Sequence, residues 1–300
     1  NSKNVLEANE VGFVGLIFGG ADSGNYVTDP VVQTGLKITP KPIVVSAEKV
    51  YDGTTTLDAA DVTFSTGVYM RDEAGEIIVD TDGNNVLETL SFTDAVAASQ
   101  HVATANNYIA EITLVEGDGS TGRLSNYTVP DFSADTAPVT ITPIELTLEV
   151  DSVVSTKVYD GNMATPDGFV LGETITGYLD GDSGLAVVYD SVTYNSKDVL
   201  TADRLSVTGM RVDPQSALVS NTFGSQATDY TLAVSDIELR DGQDNNTIEI
   251  TAKPITLSAT KTYDGTLSLA GAVSVNGLID GEPLDYVGAL SEFGNVGANG

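Results

Sequence analysis

Apolar and polar residues alternate along this chain in short runs. Ile43, Val45, Ala47, Lys49 and Tyr51 fall on one face of an extended segment, and Ile255, Leu257, Ala259, Lys261 and Tyr263 repeat the pattern, which is the period of a half-buried strand. Each run closes on Asp-Gly, a pair that tolerates the positive φ of a tight reversal. Asp52-Gly53, Asp160-Gly161 and Asp264-Gly265 are therefore predicted to form hairpin or loop turns. Asp80-Thr81-Asp82-Gly83, Asp180-Gly181 and Asp280-Gly281 are further turn candidates. The best candidate for a short helix is Thr54–Asp61, with Leu57, Ala59 and Ala60. The pattern predicts an all-β chain whose domains are β-grasp-like or immunoglobulin-like sandwiches, the helix candidate tilting the choice toward the former.

The same segment occurs three times. Pro42-Ile43 leads to Lys49-Val50-Tyr51-Asp52-Gly53, Pro143-Ile144 to Lys157-Val158-Tyr159-Asp160-Gly161, and Pro254-Ile255 to Lys261-Thr262-Tyr263-Asp264-Gly265. The tyrosines stand 108 (159 − 51) and 104 (263 − 159) residues apart, so the unit is one small domain long. The second copy has seven extra residues between Pro-Ile and Tyr, placed around Asp151–Thr156, where a loop or bulge would absorb them. Gly177–Asp182 matches Gly277–Glu282, and an aromatic-centred segment follows at Tyr194–Val199 and Phe293–Gly297, with Phe92–Val96 a looser counterpart. A closing motif recurs at Asn25-Tyr26-Val27, Asn126-Tyr127 and Asp229-Tyr230. These marks divide the chain into the tail of a preceding repeat (1–38), two complete repeats (39–142 and 143–252) and the start of another (253–300). Ile141-Thr142-Pro143 and its relatives read as a short linker, and units so joined would form a semi-rigid rod.

Composition narrows the chemistry. Hydrophobic residues make up 41% of the chain, enough for packed cores, and there is no Cys, which removes disulfides and thiolate chemistry. With 43 acidic and 13 basic residues the formal charge is −30, which repels nucleic acid and anionic lipid. No apolar run is long enough to insert in a membrane as a helix. The start of the chain does not read as a targeting signal, since Val11–Phe18 is broken by Gly12 and Gly15.

Candidate chemistry is sparse. The one histidine, His101, reads as a surface residue and leaves no basis for a catalytic triad or a His-pair metal site. Calcium has weak candidates in Asp80, Asp82, Asp180 and Asp182, but the stretch from Asp80 fails as an EF-hand loop because Asn85 and Ser91 stand where Gly and Glu are required. Tyr51, Tyr159 and Tyr263 could stack on sugars if exposed; a repeated strand-end Tyr is more often a buried ring with a bonded hydroxyl. Lys49, Lys157 and Lys261 share that face and call for a fixed partner, a carboxylate or an aromatic ring, with a self-formed Lys–Asn crosslink as a further option.

On the Lys-x-Tyr-Asp-Gly motif, the Asn-Tyr closing motif and the Ile-Thr-Pro element, the chain resembles the YDG and MBG tandem repeats of filamentous-haemagglutinin-like bacterial adhesins. That resemblance implies an extracellular stalk on a Gram-negative cell surface, exported by a two-partner or type I system, with no catalytic residues and a role in attachment or biofilm formation. Its partners would be neighbouring repeats of the same chain, and along its length polysaccharide or other adhesin fibres. Two alternatives stand beside the stalk: a carbohydrate-binding array, which requires exposed aromatics at equivalent positions, and a calcium-rigidified extender.

Overall fold

The structure, a computed structural model, describes residues 2–12, 17–26, 32–34, 37–117 and 119–290. The fold is all-β: several small sheets joined by loops, with no α-helix among the described residues and three 3-10 turns at Ser23–Asn25, Leu124–Asn126 and Ala227–Asp229. The chain forms two compact units. One comprises Asn1–Glu145, Gly177–Gly184 and Pro214–Thr231; the other comprises Leu146–Thr176, Leu185–Asp213 and Leu232–Gly300. The first thus takes in two stretches that follow the second Tyr-Asp-Gly motif in sequence.

In the first unit the strand Val44–Val50 is central. It pairs antiparallel with Val62–Ser65 and parallel with Val139–Thr142. Its alternation is realised as drawn, with Val45 and Ala47 buried beside Ile43; a Val or Ile side chain removed from water in this way contributes about 1.5–3 kcal/mol. A second sheet runs Thr56–Leu57, Ser91–Ala97, Ile109–Val115, all antiparallel. Its central strand carries a bulge at Asp94, whose φ is 53°. Ile141 and Thr142, read as part of a linker, lie inside the fold: Thr142 accepts from the Tyr51 amide at 2.8 Å and its hydroxyl donates to the Lys49 carbonyl at 3.3 Å.

The second unit repeats this arrangement. Val154–Val158 pairs parallel with Thr247–Thr251, and the Tyr159 amide donates to the Thr251 carbonyl at 2.8 Å. The seven extra residues divide the strand. Ile144–Val150 is followed by an irregular break at 151–153, after which Val154–Val158 resumes. Asn246 holds the break by accepting the Val153 amide at 2.8 Å. The core of the unit gathers Val153, Leu171, Tyr194, Leu205, Val207, Met210, Ile248 and Ile250. Tyr194, centre of the predicted aromatic segment, is buried with its hydroxyl donating to the Ser155 carbonyl at 2.8 Å. The strands Thr256–Ala259 and Val273–Asn276 pair antiparallel, but here the inward-reading residues are uncovered: Leu257 is 66% exposed, against 2% for Val45.

The helix expected over Thr54–Asp61 is absent. That stretch is a loop, the two-residue strand Thr56–Leu57 and a turn. The Asp52 carboxylate takes the Thr54 amide, the Lys49 ammonium takes the Thr56 carbonyl, and the Thr55 carbonyl accepts from Ala97. Backbone groups committed to side chains and to a neighbouring strand cannot close helical turns. The aromatic segment Phe293–Gly297 and Val27 of the first closing motif lie outside the described residues.

Candidate functional site

The Tyr-Asp-Gly motif builds the same small loop three times. Lys49 and Asp52 form an ion pair at 2.8 Å, Lys157 and Asp160 at 2.7 Å, and Lys261 and Asp264 at 2.7 Å. Each ammonium also caps loop carbonyls: Lys49 that of Thr56, Lys157 that of Asn162, Lys261 those of Thr266 and Ser268. Each Asp then accepts a backbone amide two residues on, from Thr54, Asn162 or Thr266. The glycines Gly53, Gly161 and Gly265 sit at φ of 78°, 80° and 76°, the region L-residues avoid. These are loops and not hairpins, since Val44–Val50 does not pair with Thr56–Leu57.

The electrostatics follow. Burial alone would raise the Asp52 carboxyl, but the bonds from Lys49 and Thr54 outweigh it and hold it below the usual range. Asp160 is lowered in the same way. At Asp264 the Lys261 bond dominates and brings the carboxyl to about 2. Lys157 also stands 5.5 Å from the Tyr194 ring centroid. The lysines thus meet the carboxylate within their own motif. Lys157 donates to the Asn162 amide oxygen at 3.0 Å and pairs with Asp160 at 2.7 Å.

The tyrosines reach further. Tyr51 is only 2% exposed. Its hydroxyl donates to Ser225 at 2.7 Å, and Ser225 donates to Asp182 at 2.5 Å. Asp182 also accepts from the Tyr230 hydroxyl at 2.6 Å and the Thr222 amide at 2.8 Å. Burial would raise the Asp182 carboxyl, but these donors keep it below the ordinary value. Beside this chain lies a second buried carboxylate, Asp229, which accepts from the Val102 amide at 2.9 Å and the Gln226 amide at 2.8 Å. His101, expected on the surface, is instead partly buried. It bonds Asp229 through Nδ1 at 2.8 Å and stacks on Tyr51 at 6.3 Å. The correction has a simple cause: its partner lies 128 residues away in sequence. Phe223 covers Gly53 so closely that an added Cβ would stand 2.7 Å from the ring.

In the second unit Tyr159 is half-buried and its hydroxyl donates directly to Glu282. Lys197 completes the contact, 3.1 Å from the Glu282 carboxylate and 3.3 Å from the Tyr159 oxygen. The Glu282 bond raises the Tyr159 hydroxyl, and the Tyr159 and Lys197 bonds lower the Glu282 carboxyl. The third tyrosine, Tyr263, is 65% exposed.

The closing motif takes part in the same contacts. Each of the three 3-10 turns ends at the motif Tyr, whose amide donates to the first carbonyl of the turn. Asn126 accepts the Val5 amide at 2.9 Å, as Asp229 accepts that of Val102, and the Tyr127 hydroxyl donates to Glu88 at 2.5 Å, as Tyr230 donates to Asp182. Asp182 and Glu282 occupy matching places in the Gly177–Asp182 and Gly277–Glu282 segments, which was the signal for their role. Nothing local marked Ser225, Phe223 or Lys197.

Of the calcium candidates, Asp80 closes a turn by accepting the Asp82 and Asn84 amides at 2.9 and 2.8 Å. Asp82 and Asp180 are exposed, and the Asp182 oxygens are taken by the donors above. Among the described residues no group of three His, Cys, Asp or Glu side chains is placed to hold a metal ion.

The protein is thus an all-β chain whose recurring motifs are tied into internal polar contacts, buried around Tyr51 and more exposed at the later copies. It contains a YDG domain at residues 142–237, which spans the second Lys-x-Tyr-Asp-Gly copy. No curated protein and no solved structure matches the chain.

Proposed function

We propose that the protein is a stalk or spacer segment of a bacterial cell-surface adhesin, extracellular and without enzymatic activity, whose work is mechanical: it holds an adhesive tip away from the cell for attachment or biofilm formation. The observation that carries this reading is the use to which the motif residues are put. In the first copy the ammonium, hydroxyl and carboxylate of Lys49, Tyr51 and Asp52 are all spent on internal bonds, so in that copy the motif serves architecture and presents nothing to a substrate. A buried Tyr51 also lacks the exposed face that a sugar-stacking aromatic needs.

The test has two arms on the whole chain. Pulled from its ends, it should unfold in cooperative steps, each releasing on the order of 35 nm, the contour of about one hundred residues. On a glycan array it should bind nothing at micromolar strength. Polysaccharide binding abolished by Tyr51→Leu and Tyr159→Leu, which remove the stacking ring, in variants that stay folded would overturn the stalk in favour of a carbohydrate-binding array.

A further inference from the structure

Two loops of one sequence repeat meet the next repeat at a matching place, and they do so twice. Ser91–Ala97 pairs antiparallel with Ile109–Val115, and Ser191–Tyr194 with Arg204–Thr208. The connection inside the first pair carries His101, and that inside the second carries Lys197. Each brings a basic group onto the ring of its own repeat's motif tyrosine. His101 stacks on Tyr51 with centroids 6.3 Å apart, and the Lys197 ammonium stands 5.8 Å from the Tyr159 centroid.

Tyrosine and base then bond carboxylates that belong to the following repeat. In the first unit Tyr51 reaches Asp182 through Ser225, while His101 bonds Asp229 through Nδ1 at 2.8 Å. In the second unit Glu282 serves both, accepting from Tyr159 and, at 3.1 Å, from Lys197. The spacing is kept as well. Asp182 stands 131 residues after Tyr51 (182 − 51) and Glu282 stands 123 after Tyr159 (282 − 159), and the seven extra residues of the second repeat account for all but one of the difference. Recurrence in register and in chemistry sets this contact apart from an incidental one.

We propose that the motif tyrosine and the base laid on its ring form the surface by which each repeat takes hold of the next, the partner being the acidic segment that ends at Asp182 or at Glu282. The pairing is directional. Tyrosine and base come from the leading repeat and the carboxylate from the following one, so the surface sets their order and couples their stability. In the first unit the contact is widened by Gln100, whose side-chain amide donates to the Phe223 carbonyl at 2.9 Å, and by the Val102 amide, which Asp229 accepts.

Hydrogen exchange read by mass spectrometry on the whole chain tests this. Coupling across a contact is reciprocal, and local opening is resolved peptide by peptide. Asp182→Asn keeps the shape of the side chain and alters only the following repeat. It should speed exchange at least about tenfold in 51–57 and 98–107, which belong to the leading one. His101→Ala makes the reciprocal change and should do the same in 223–230; its side chain is partly exposed, so it carries the test if Asp182→Asn fails to fold. At the second contact Glu282→Lys should speed exchange in 195–203 about threefold, and adding Lys197→Glu should restore the original rate. Effects confined to the repeat that carries the substitution would overturn the proposal, and so would a charge-exchanged double variant no better protected than Glu282→Lys alone. A chain that bound polysaccharide or unfolded without steps would leave it standing, since the coupling of repeats is separate from the stalk reading.

Discussion

The Tyr51 and Tyr159 loops start from the same motif and end in different environments. Both hold a Lys–Asp ion pair, a left-handed Gly and a Tyr amide that donates to the Thr carbonyl at the end of an Ile-Thr strand. Around Tyr51, however, the stretch 221–230 closes over the ring, so its hydroxyl reaches Asp182 through Ser225 in a buried chain. Around Tyr159 no such stretch is present among the described residues, and a single carboxylate, Glu282, with Lys197 beside it, receives the hydroxyl in partial contact with solvent. The motif therefore fixes the loop, and the degree of burial is fixed by what is laid on it. A polar group under cover is worth far more to stability than the same group in water, because its partners cannot turn to solvent when it is removed.

That contrast can be broken most sharply by truncation. Tyr51→Ala should cost about 4 kcal/mol of unfolding free energy, as expected for a buried aromatic, while Tyr159→Ala should cost a small fraction of that. Urea unfolding of the two variants measures it, and equal losses would show that coverage of the loop is not what separates them. Next in size is Asp182→Ala. It leaves Ser225, Tyr230 and Thr222 without their acceptor and should cost about 3 kcal/mol; Glu282→Ala, at the half-buried counterpart, should move the unfolding midpoint far less. Tyr51→Phe keeps the packing and loses one hydrogen bond, for about 1 kcal/mol.

A pH titration sharpens the comparison further. The folded Asp182 and Asp264 carboxyls are both lowered, Asp264 to about 2, so each contributes stability that is present above the unfolded carboxylate value of about 3.9 and lost as pH falls through the folded value. Carboxyl carbon shifts followed by NMR should show Asp264 half-protonated near pH 2, with the Lys261 loop loosening in that window. The smallest effect is expected from metal. With the Asp80 and Asp182 oxygens already engaged by protein donors, adding calcium to chelator-treated protein should leave the melting temperature within about 1 °C. A large rise would favour the calcium-rigidified extender.

Much of this was legible along the chain. Alternation placed Val45 and Ala47 inside, Asp-Gly marked the loops, and the acidic place shared by Asp182 and Glu282 was visible as a match between segments. The Thr54–Asp61 stretch misled because its apolar spacing suits a helix, while its backbone groups are claimed by Asp52, Lys49 and Ala97. His101 misled for a related reason. The stretch Ser99-Gln100-His101 reads as a polar loop, and the buried carboxylate that receives the imidazole belongs to another stretch of chain.

The sequence by itself determined the strand class, the turns and the recurrence of two motifs, because these depend on periods and φ preferences that act over a few residues. Only the tertiary structure decided which tyrosine is covered and which carboxylate is buried. Those outcomes rest on contacts such as Tyr51 to Ser225, 174 residues apart, and desolvation is a property of everything packed around a group and not of the residues beside it in the chain.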